Sequence, residues 1–131
     1  MTGRLEGKVA AITGAASGFG EGAARRFVAE GARVAVGDIQ DDRGQALAAE
    51  LGDDAIYVHC DVTVEEDVAA LVDTAVERFG QLDIMYNNAG IIGAVGPFDT
   101  HPADEWKATL DVHVNGVFYG VKHAARVMKP R

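Results

Sequence analysis

The chain has 131 residues, of which 48% are hydrophobic and 24% are charged, and its formal net charge is −8. This length and composition fit one globular domain, residues 1–131. The acidic balance argues against a nucleic-acid-binding protein, which needs a basic face for the phosphate backbone. Because no apolar run reaches the ~20 residues of a membrane span and no secretory signal is visible, we expect no membrane partner. The single cysteine, Cys60, fits a reducing compartment, so the chain is expected to be cytoplasmic.

Short apolar runs alternate with amphipathic stretches along the first part of the chain. In order, strands are predicted over residues 8–13, 33–38, 55–60 and 82–86, and helices over residues 18–31, 41–51 and 63–80. Phe19 and Phe27 are among the apolar residues that fall on one face of the first helix. Thr63 and Glu66 have the spacing of a capping box at the start of the third helix.

A loop rich in glycine and proline, residues 91–97, precedes a last helical region. Pro102 lies near the start of this region, and its apolar positions run from Trp106 to Met128. We interpret this apolar face as a packing surface or a subunit interface, and a homo-oligomer is therefore expected. The fourth strand is expected to be an unpaired apolar edge of the sheet, which favours association with a partner.

The alternation of strands and helices predicts an α/β fold with a doubly wound parallel sheet. Right-handed crossovers between sequential strands give the strand order 3-2-1-4, with a topological switch between strands 1 and 4. Ligands of such sheets bind at the carboxyl ends of the strands beside the switch. Two segments leave these ends, a glycine-rich turn over residues 13–20 and a loop over residues 87–90. The topology therefore predicts that both segments contribute to one site.

The glycine-rich turn, Thr-Gly-Ala-Ala-Ser-Gly-Phe-Gly, follows the first strand and begins the first helix. Its glycines, Gly14, Gly18 and Gly20, allow the backbone to approach a diphosphate, and the helix N-terminus offers N–H groups and the positive end of its dipole. A strand-to-helix turn that binds nothing is the alternative. The flanking βαβ pattern favours a site for the diphosphate of a nicotinamide cofactor.

Asp38 ends the second predicted strand. A carboxylate at this position can accept hydrogen bonds from both hydroxyls of the adenosine ribose and can repel a 2′-phosphate, which favours NAD over NADP. The glycine-rich turn contains no lysine or arginine that would attract that phosphate. A helix-capping aspartate is the alternative interpretation.

Five segments occur in a fixed order along the chain. They are Thr13-Gly14-x-x-x-Gly18-x-Gly20, Asp38, Cys60-Asp61-Val62-Thr63, Asn87-Asn88-Ala89-Gly90 and Val114-Asn115-Gly116. In this order and spacing they resemble the fingerprints of the short-chain dehydrogenase/reductase family over the whole chain. The resemblance implies a Rossmann-type fold with NAD as cofactor. Residues 122–128 add a fainter similarity to members that act on hydroxysteroids and secondary alcohols.

The resemblance also implies roles for individual residues. Asp61 and Val62 would contact the adenine, and Asn115 would be a catalytic residue that holds a water of the proton relay. The implied cofactor site comprises Gly14, Ser17, Gly18, Phe19, Gly20, Asp38, Asp61, Val62, Asn88, Ala89 and Gly90. Each later motif has a structural alternative: a turn at Asp61, loop hydrogen bonds at Asn88, and a helix kink at Asn115.

The family transfers a hydride with a tyrosine as general acid/base, a lysine four residues later and an earlier serine, and the lysine lowers the pKa of the phenol. This chain has no Tyr-x-x-x-Lys, because Tyr119 and Lys122 are three residues apart. Its one serine, Ser17, lies in the glycine-rich turn. We therefore expect a sequence truncated before the catalytic segment and the later strands. The four histidines show no metal-ligand spacing, so no metal is expected.

The sequence thus predicts the cofactor-binding portion of an NAD-dependent oxidoreductase whose substrate is a small secondary alcohol or ketone. Two alternatives stay open. One is a nucleotide-binding module without catalysis, and the other is a truncated product without independent activity.

Overall fold

The computed structural model describes residues 3–131. Four parallel strands form one sheet in the order β3-β2-β1-β4, which confirms the predicted order. The strands are β1 (Val9–Thr13), β2 (Arg33–Asp38), β3 (Ala55–His59) and β4 (Ile84–Tyr86). β4 is shorter than predicted, and within residues 3–131 it pairs with β1 alone, so it is an edge of the sheet.

Helices cover both faces of this sheet. They are α1 (Gly18–Ala29), α2 (Asp41–Leu51), α3 (Glu65–Phe79), α4 (Ala103–Leu110) and α5 (Gly116–Met128). Every residue of β1 is buried, and successive side chains alternate between two cores. Ala10 and Ile12 pack in the core shared with α1 and α2, whereas Val9 and Ala11 pack in the core shared with α3 and α5. This is the alternation that a strand buried on both faces requires.

The strand register brings the carboxyl ends of the four strands together at one end of the sheet. Thr13 at the end of β1 pairs with Gly37 of β2, and Ile12 pairs with Tyr86 of β4. Asp38 follows Gly37 directly and pairs with His59 of β3. The turn after β1 and the loop after β4 therefore leave the sheet side by side.

The capping box predicted at one helix start is wrong, and the start of another helix is exposed. Phe19, on the predicted apolar face of α1, is 88% exposed because it lies in the first turn of α1, beyond the end of the sheet. The capping box is absent from the described residues, since α3 begins at Glu65 and the Thr63 hydroxyl donates to Asp61 Oδ1 at 2.7 Å instead.

The last helical region is divided into three parts. A π-helical turn, Asp111–Asn115, separates α4 from α5. α5 packs against α3, where Lys122 Nζ lies 2.6 Å from Glu65 Oε2 and Arg126 Nη2 lies 2.8 Å from Asp73 Oδ1. The large apolar side chains that stay exposed on this region are Trp106, Val114, Val117, Phe118 and Val121. In the part of the chain that the structure covers, no helix is both long enough and apolar enough to cross a membrane.

Candidate functional site

A cavity of about 460 Å³ opens at the carboxyl ends of the strands. Its lining residues are Gly14, Ser17, Phe19, Asp38, Ile39, Gln40, Asp61, Val62, Asn88, Ala89, Gly90, Ile91 and Val112. Nine of the eleven residues predicted for the cofactor site are among them. Gly18 and Gly20 are not, because they shape the turn behind the lining. We call residues 13–20 with Asp38 the turn wall of the cavity, and residues 88–91 the loop wall.

The turn wall depends on glycine at particular positions. Gly14 and Gly18 have φ angles of 65° and 58°, in the left-handed region that glycine adopts without strain. A β-carbon at Gly20 would collide with the carbonyl oxygen of Gly14 and with Asn88 Nδ2. Within residues 3–131, no side chain caps the start of α1. The N–H groups of that first turn are therefore left for an anion.

Asp38 ties the turn wall to the end of β2. Its side chain is 5% exposed. Oδ2 accepts a hydrogen bond from the Ala16 N–H at 2.9 Å, and Oδ1 accepts one from the Gln40 N–H at 2.9 Å. Oδ1 also accepts a longer hydrogen bond from Gln40 Nε2 at 3.5 Å, whereas Oδ2 keeps a further lone pair with which it can accept a ligand hydroxyl. Gln40 is the residue before α2, so this bond holds the turn that leads into the helix, and within residues 3–131 no side chain caps the start of α2.

Thr13 and Asn88 join the two walls. Asn88 Nδ2 donates to the carbonyl oxygens of Thr13 and Gly14, both at 3.1 Å. Thr13 Oγ1 accepts hydrogen bonds from the N–H groups of Asn88 at 3.1 Å and Ala89 at 3.0 Å. The loop hydrogen bonding proposed as an alternative for Asn88 is thus present, and it holds the loop wall against the turn wall.

Asp61 and Val62 line the cavity beside the end of β3. Asp61 Oδ1 accepts hydrogen bonds from the N–H of Thr63 at 3.0 Å and from its hydroxyl, so the carboxylate forms the turn before α3. The Asp61 N–H in turn donates to Asp67 Oδ2 at 3.0 Å. Val62 is buried against Gly116 at the start of α5. These contacts fix the lining at this end of the cavity.

A polar cluster of Tyr57, His59 and Asp41 lies next to Asp38, outside the cavity lining. Tyr57 Oη lies 2.6 Å from the Asp38 carbonyl oxygen and 2.5 Å from Asp41 Oδ1, and His59 Nδ1 lies 2.8 Å from the same Asp41 oxygen. The hydrogen bonds from Tyr57 and His59 lower the pKa of Asp41, and the bond to Asp41 raises the pKa of His59. Burial, followed by the Asp41 hydrogen bond, raises the pKa of Tyr57. This cluster was missed, although the period of two along β3 places Tyr57 and His59 on one face.

Asn115 lies apart from the cavity lining. Its Nδ2 donates to Asp111 Oδ1 at 2.8 Å within the π-helical turn. Val112 of the same turn contributes to the lining instead. A helical pattern in the sequence does not signal a π turn, because one added residue changes which side chains face the cavity. The relay role of Asn115 stays a prediction.

Four lining residues lie outside the predicted cofactor site: Ile39, Gln40, Ile91 and Val112. Ile39 and Gln40 directly follow Asp38, and Ile91 directly follows Gly90. Their position next to predicted site residues is the sequence signal that could have identified them. Cys60 is 3% exposed, and burial raises its pKa to about 12, so it is a structural thiol. Over the range that the structure describes, no three His, Cys, Asp or Glu side chains are grouped to hold a metal ion.

The short chain dehydrogenase family matches residues 8–131, and the chain belongs to this family. The sequence is 53% identical to zerumbone synthase of Zingiber zerumbet over 98% of the chain. It is 57% identical to momilactone A synthase of Oryza sativa subsp. japonica over 97% of the chain, and 54% identical to the mitochondrial borneol dehydrogenase of Lavandula x intermedia over 97%. The chain covers 49%, 47% and 49% of these proteins, so it spans about half their length.

Solved structures of the same fold contain nicotinamide dinucleotides. One is the 3-ketoacyl-(acyl-carrier-protein) reductase from Brucella melitensis complexed with NADH, with a TM-score of 0.91 and 40% sequence identity. The match covers 96% of this chain and 52% of the reductase chain. A short-chain dehydrogenase/reductase from Burkholderia phymatum in complex with NAD matches 95% of this chain with a TM-score of 0.89 and 36% identity, and 45% of it is covered.

Proposed function

We propose that this chain is the NAD-binding part of an oxidoreductase that transfers a hydride between NAD and a small secondary alcohol or ketone. One observation carries the proposal: the glycine-rich turn, the Asp38 carboxylate and the Asn88 loop open onto one cavity at the carboxyl ends of β1, β2 and β4. Membership of the short chain dehydrogenase family supports the reaction class. The NADH and NAD bound in the similar structures support the cofactor.

The residues of the cavity fit the parts of NAD. Gly14, Ser17 and the uncapped start of α1 would hold the diphosphate, where Gly20 leaves space that a β-carbon would fill. Asp38 would accept the ribose hydroxyls. Phe19, Asp61 and Val62 would contact the adenosine half, and Asn88, Ala89 and Gly90 would line the opposite side. NAD supplies the hydride chemistry when bound, and these residues bind and orient it.

The charges around the turn wall support NAD over NADP. A 2′-phosphate at Asp38 would meet a buried carboxylate. Two arginines lie nearby, beside Ala16, but both face glutamates. Arg25 Nη2 lies 2.7 Å from Glu50 Oε2, and Arg43 Nη2 lies 3.8 Å from Glu21 Oε1. Their charges are therefore offset on the surface, and recruiting them to a phosphate would break these ion pairs.

We further propose that this chain by itself binds the cofactor without turning over substrate. None of its three tyrosines has a lysine four residues later. A phenol without a neighbouring cation keeps a pKa near 10 and is a weak general base at neutral pH. Asn115 as a relay residue, a cytoplasmic location and a homo-oligomer stay predictions of the same proposal.

Calorimetric titration with NAD and NADP tests the cofactor. We expect NAD to bind and NADP to bind about tenfold or more weakly, because the phosphate is repelled by Asp38. Asp38→Asn keeps the side-chain volume but removes the charge, so the difference between the two cofactors is expected to narrow. Asp42→Asn is the control, because it removes an exposed carboxylate in the first turn of α2, close to Asp38 in the sequence.

Three results would contradict the proposal. The first is an absence of NAD binding by the folded chain, and the second is equal affinity for NAD and NADP. The third is formation of NADH from secondary alcohols by the purified chain, which would show that its own residues complete the proton transfer. Melting temperatures of each variant are recorded alongside, because Asp38 Oδ2 also holds the Ala16 N–H.

A further inference from the structure

The loop after β4 is held from one side by two side chains of the following helical region. The Ala94 N–H donates to Thr109 Oγ1 at 2.9 Å. The backbone of Ile91 faces the imidazole of His113, with Nε2 lying 2.7 Å from the Ile91 carbonyl oxygen and 3.2 Å from its nitrogen. Thr109 and His113 are four residues apart, and residues at this spacing share one face of a helix.

Two glycines of the loop match these two side chains. A β-carbon at Gly93 would lie 2.6 Å from Thr109 Cγ2, and one at Gly90 would lie 3.0 Å from His113 Cε1. Both distances are shorter than ordinary carbon–carbon contacts. The loop thus approaches the helix where glycine permits it, and the approach occurs beside Gly90 and Ile91, which line the cavity.

We propose that Thr109 and His113 are positioning residues that fix the loop wall of the cavity and thereby set the affinity for NAD. We call the pair the Thr109–His113 clamp. The inference rests on the proposed function, since it assigns the clamp to the same site. Neither side chain is among the lining residues, so both act through the backbone of residues 90–94. Without the clamp, this backbone would have to be ordered when the ligand binds, and that ordering opposes binding.

The hydrogen-bonding capacity of position 113 distinguishes a clamp from simple packing. A neutral imidazole nitrogen either donates or accepts, so Nε2 satisfies the Ile91 carbonyl or the Ile91 N–H at one time. A glutamine carboxamide reaches to a similar distance and offers both a donor and an acceptor. His113→Gln is therefore expected to retain the function of the clamp, whereas His113→Ala removes it.

The test uses the 131-residue chain with four variants. His113→Ala and Thr109→Val each remove one hydrogen-bonding group, and valine closely matches the shape of threonine. His113→Gln is the conservative replacement, and Val114→Ala is the control, since Val114 is an exposed neighbour in the same turn. NAD affinity is measured by calorimetry. Amide hydrogen exchange at Ile91 and Ala94 is measured on the protein without NAD.

We expect His113→Ala and Thr109→Val to weaken NAD binding about three- to tenfold, the effect of one lost hydrogen bond. Exchange is expected to accelerate at Ile91 in the first variant and at Ala94 in the second. His113→Gln is expected to stay within about twofold of the wild-type affinity, as a retained hydrogen bond requires. Val114→Ala is expected to behave as the wild type in both measurements.

Wild-type affinity in both His113→Ala and Thr109→Val would overturn the clamp while leaving the proposed function in place. A His113→Gln variant as weak as His113→Ala would also overturn it, because the shape of the ring rather than its hydrogen bond would then matter. If the wild-type chain binds no NAD, the proposed function fails. In that case unchanged exchange at Ala94 in Thr109→Val overturns the clamp independently, because the Ala94 N–H donates to Thr109 Oγ1.

Discussion

On one side of the cavity the chain leaves the buried strands β1 and β2, whereas on the other side it leaves β4, a half-buried edge strand of three residues. The turn wall is fixed by backbone geometry and by a buried carboxylate that binds two backbone N–H groups. The loop wall is fixed by side chains, namely Thr13 and Asn88 from within the sheet edge and the Thr109–His113 clamp from the helix.

The two walls are therefore expected to respond differently to substitution. A change in the turn wall disturbs segments that are continuous with the core, so it should affect the free energy of unfolding and ligand binding together. A change in the clamp disturbs a loop outside the sheet, so it should affect ligand binding with little loss of global stability. Measuring the free energy of unfolding and ligand binding for substitutions in each wall therefore tests this distinction.

The largest effect is expected from Gly20→Ala in the turn wall. The added methyl group would collide with the Gly14 carbonyl oxygen and Asn88 Nδ2, so we expect a loss of about 1–3 kcal/mol in the free energy of unfolding and a loss of NAD binding. Gly22→Ala is the matched control in the same helix, since its β-carbon would meet no atom within 4 Å. We expect it to stabilise the protein by about 0.5–1 kcal/mol in urea unfolding. Equal stability of the two variants would show that the turn wall tolerates side chains.

A smaller effect is expected where the two walls meet. Asn88→Ala removes the donor that serves the Thr13 and Gly14 carbonyl oxygens, and we expect it to cost about 1–2 kcal/mol in urea unfolding. Asn88→Asp keeps the shape but faces a carboxylate towards the same two carbonyls, so it should be at least as destabilising. If Asn88→Asp were as stable as the wild type, the junction of the walls would not depend on this amide.

The smallest effect is expected in the polar cluster of Tyr57, His59 and Asp41 next to Asp38. The hydrogen bond to Asp41 raises the pKa of His59, so we expect its imidazole to titrate above the value of about 6.5 for a free histidine. The stability from this pair is complete below that value and is lost as the pH rises through the raised pKa of the folded state. Because the pKa of Asp41 is lowered, its contribution is lost only in acid, as the pH falls through that lowered pKa.

Titration of the His59 ring by nuclear magnetic resonance checks this prediction. Asp41→Asn should return the midpoint towards that of a free histidine, while Asp42→Asn should leave it raised. An unchanged midpoint in Asp41→Asn would show that Asp41 is not the cause of the shift.

The difference between the turn wall and the loop wall also explains which parts of the structure could be predicted from the sequence. The strand order, the buried β1 and the turn wall follow from apolar runs and glycine spacing, which are local patterns, and they were predicted. Asp38 was predicted at the site because it ends a strand whose topology is determined by the βαβ pattern. The choice between a ligand contact and a helix cap was left open for Asp38, because both roles use the same carboxylate, and its hydrogen bond to the Ala16 N–H was not predicted.

The loop wall was predicted less completely. The Asn88 loop was predicted to leave the sheet beside the glycine-rich turn, as it does, but Val112 and His113 lie in a π-helical turn, which leaves no periodic signal. The exposure of Phe19 could not be predicted from its place on an apolar helical face, because helical periodicity does not indicate where the sheet ends. Thr63 was assigned to a helix cap from its spacing to Glu66, and the assignment failed because the Asp61 carboxylate binds the Thr63 hydroxyl instead.

The bond from Ala16 to Asp38 also restricts how cofactor preference can change in a protein built this way. Replacing the aspartate by a basic residue, or by a neutral residue without an acceptor, removes the acceptor of a buried backbone N–H as well as the negative charge. A single substitution of this kind would therefore trade selectivity against the integrity of the turn. An evolutionary or engineered path from NAD to NADP through such a residue would need a second acceptor for the Ala16 N–H, introduced before or together with the change at position 38.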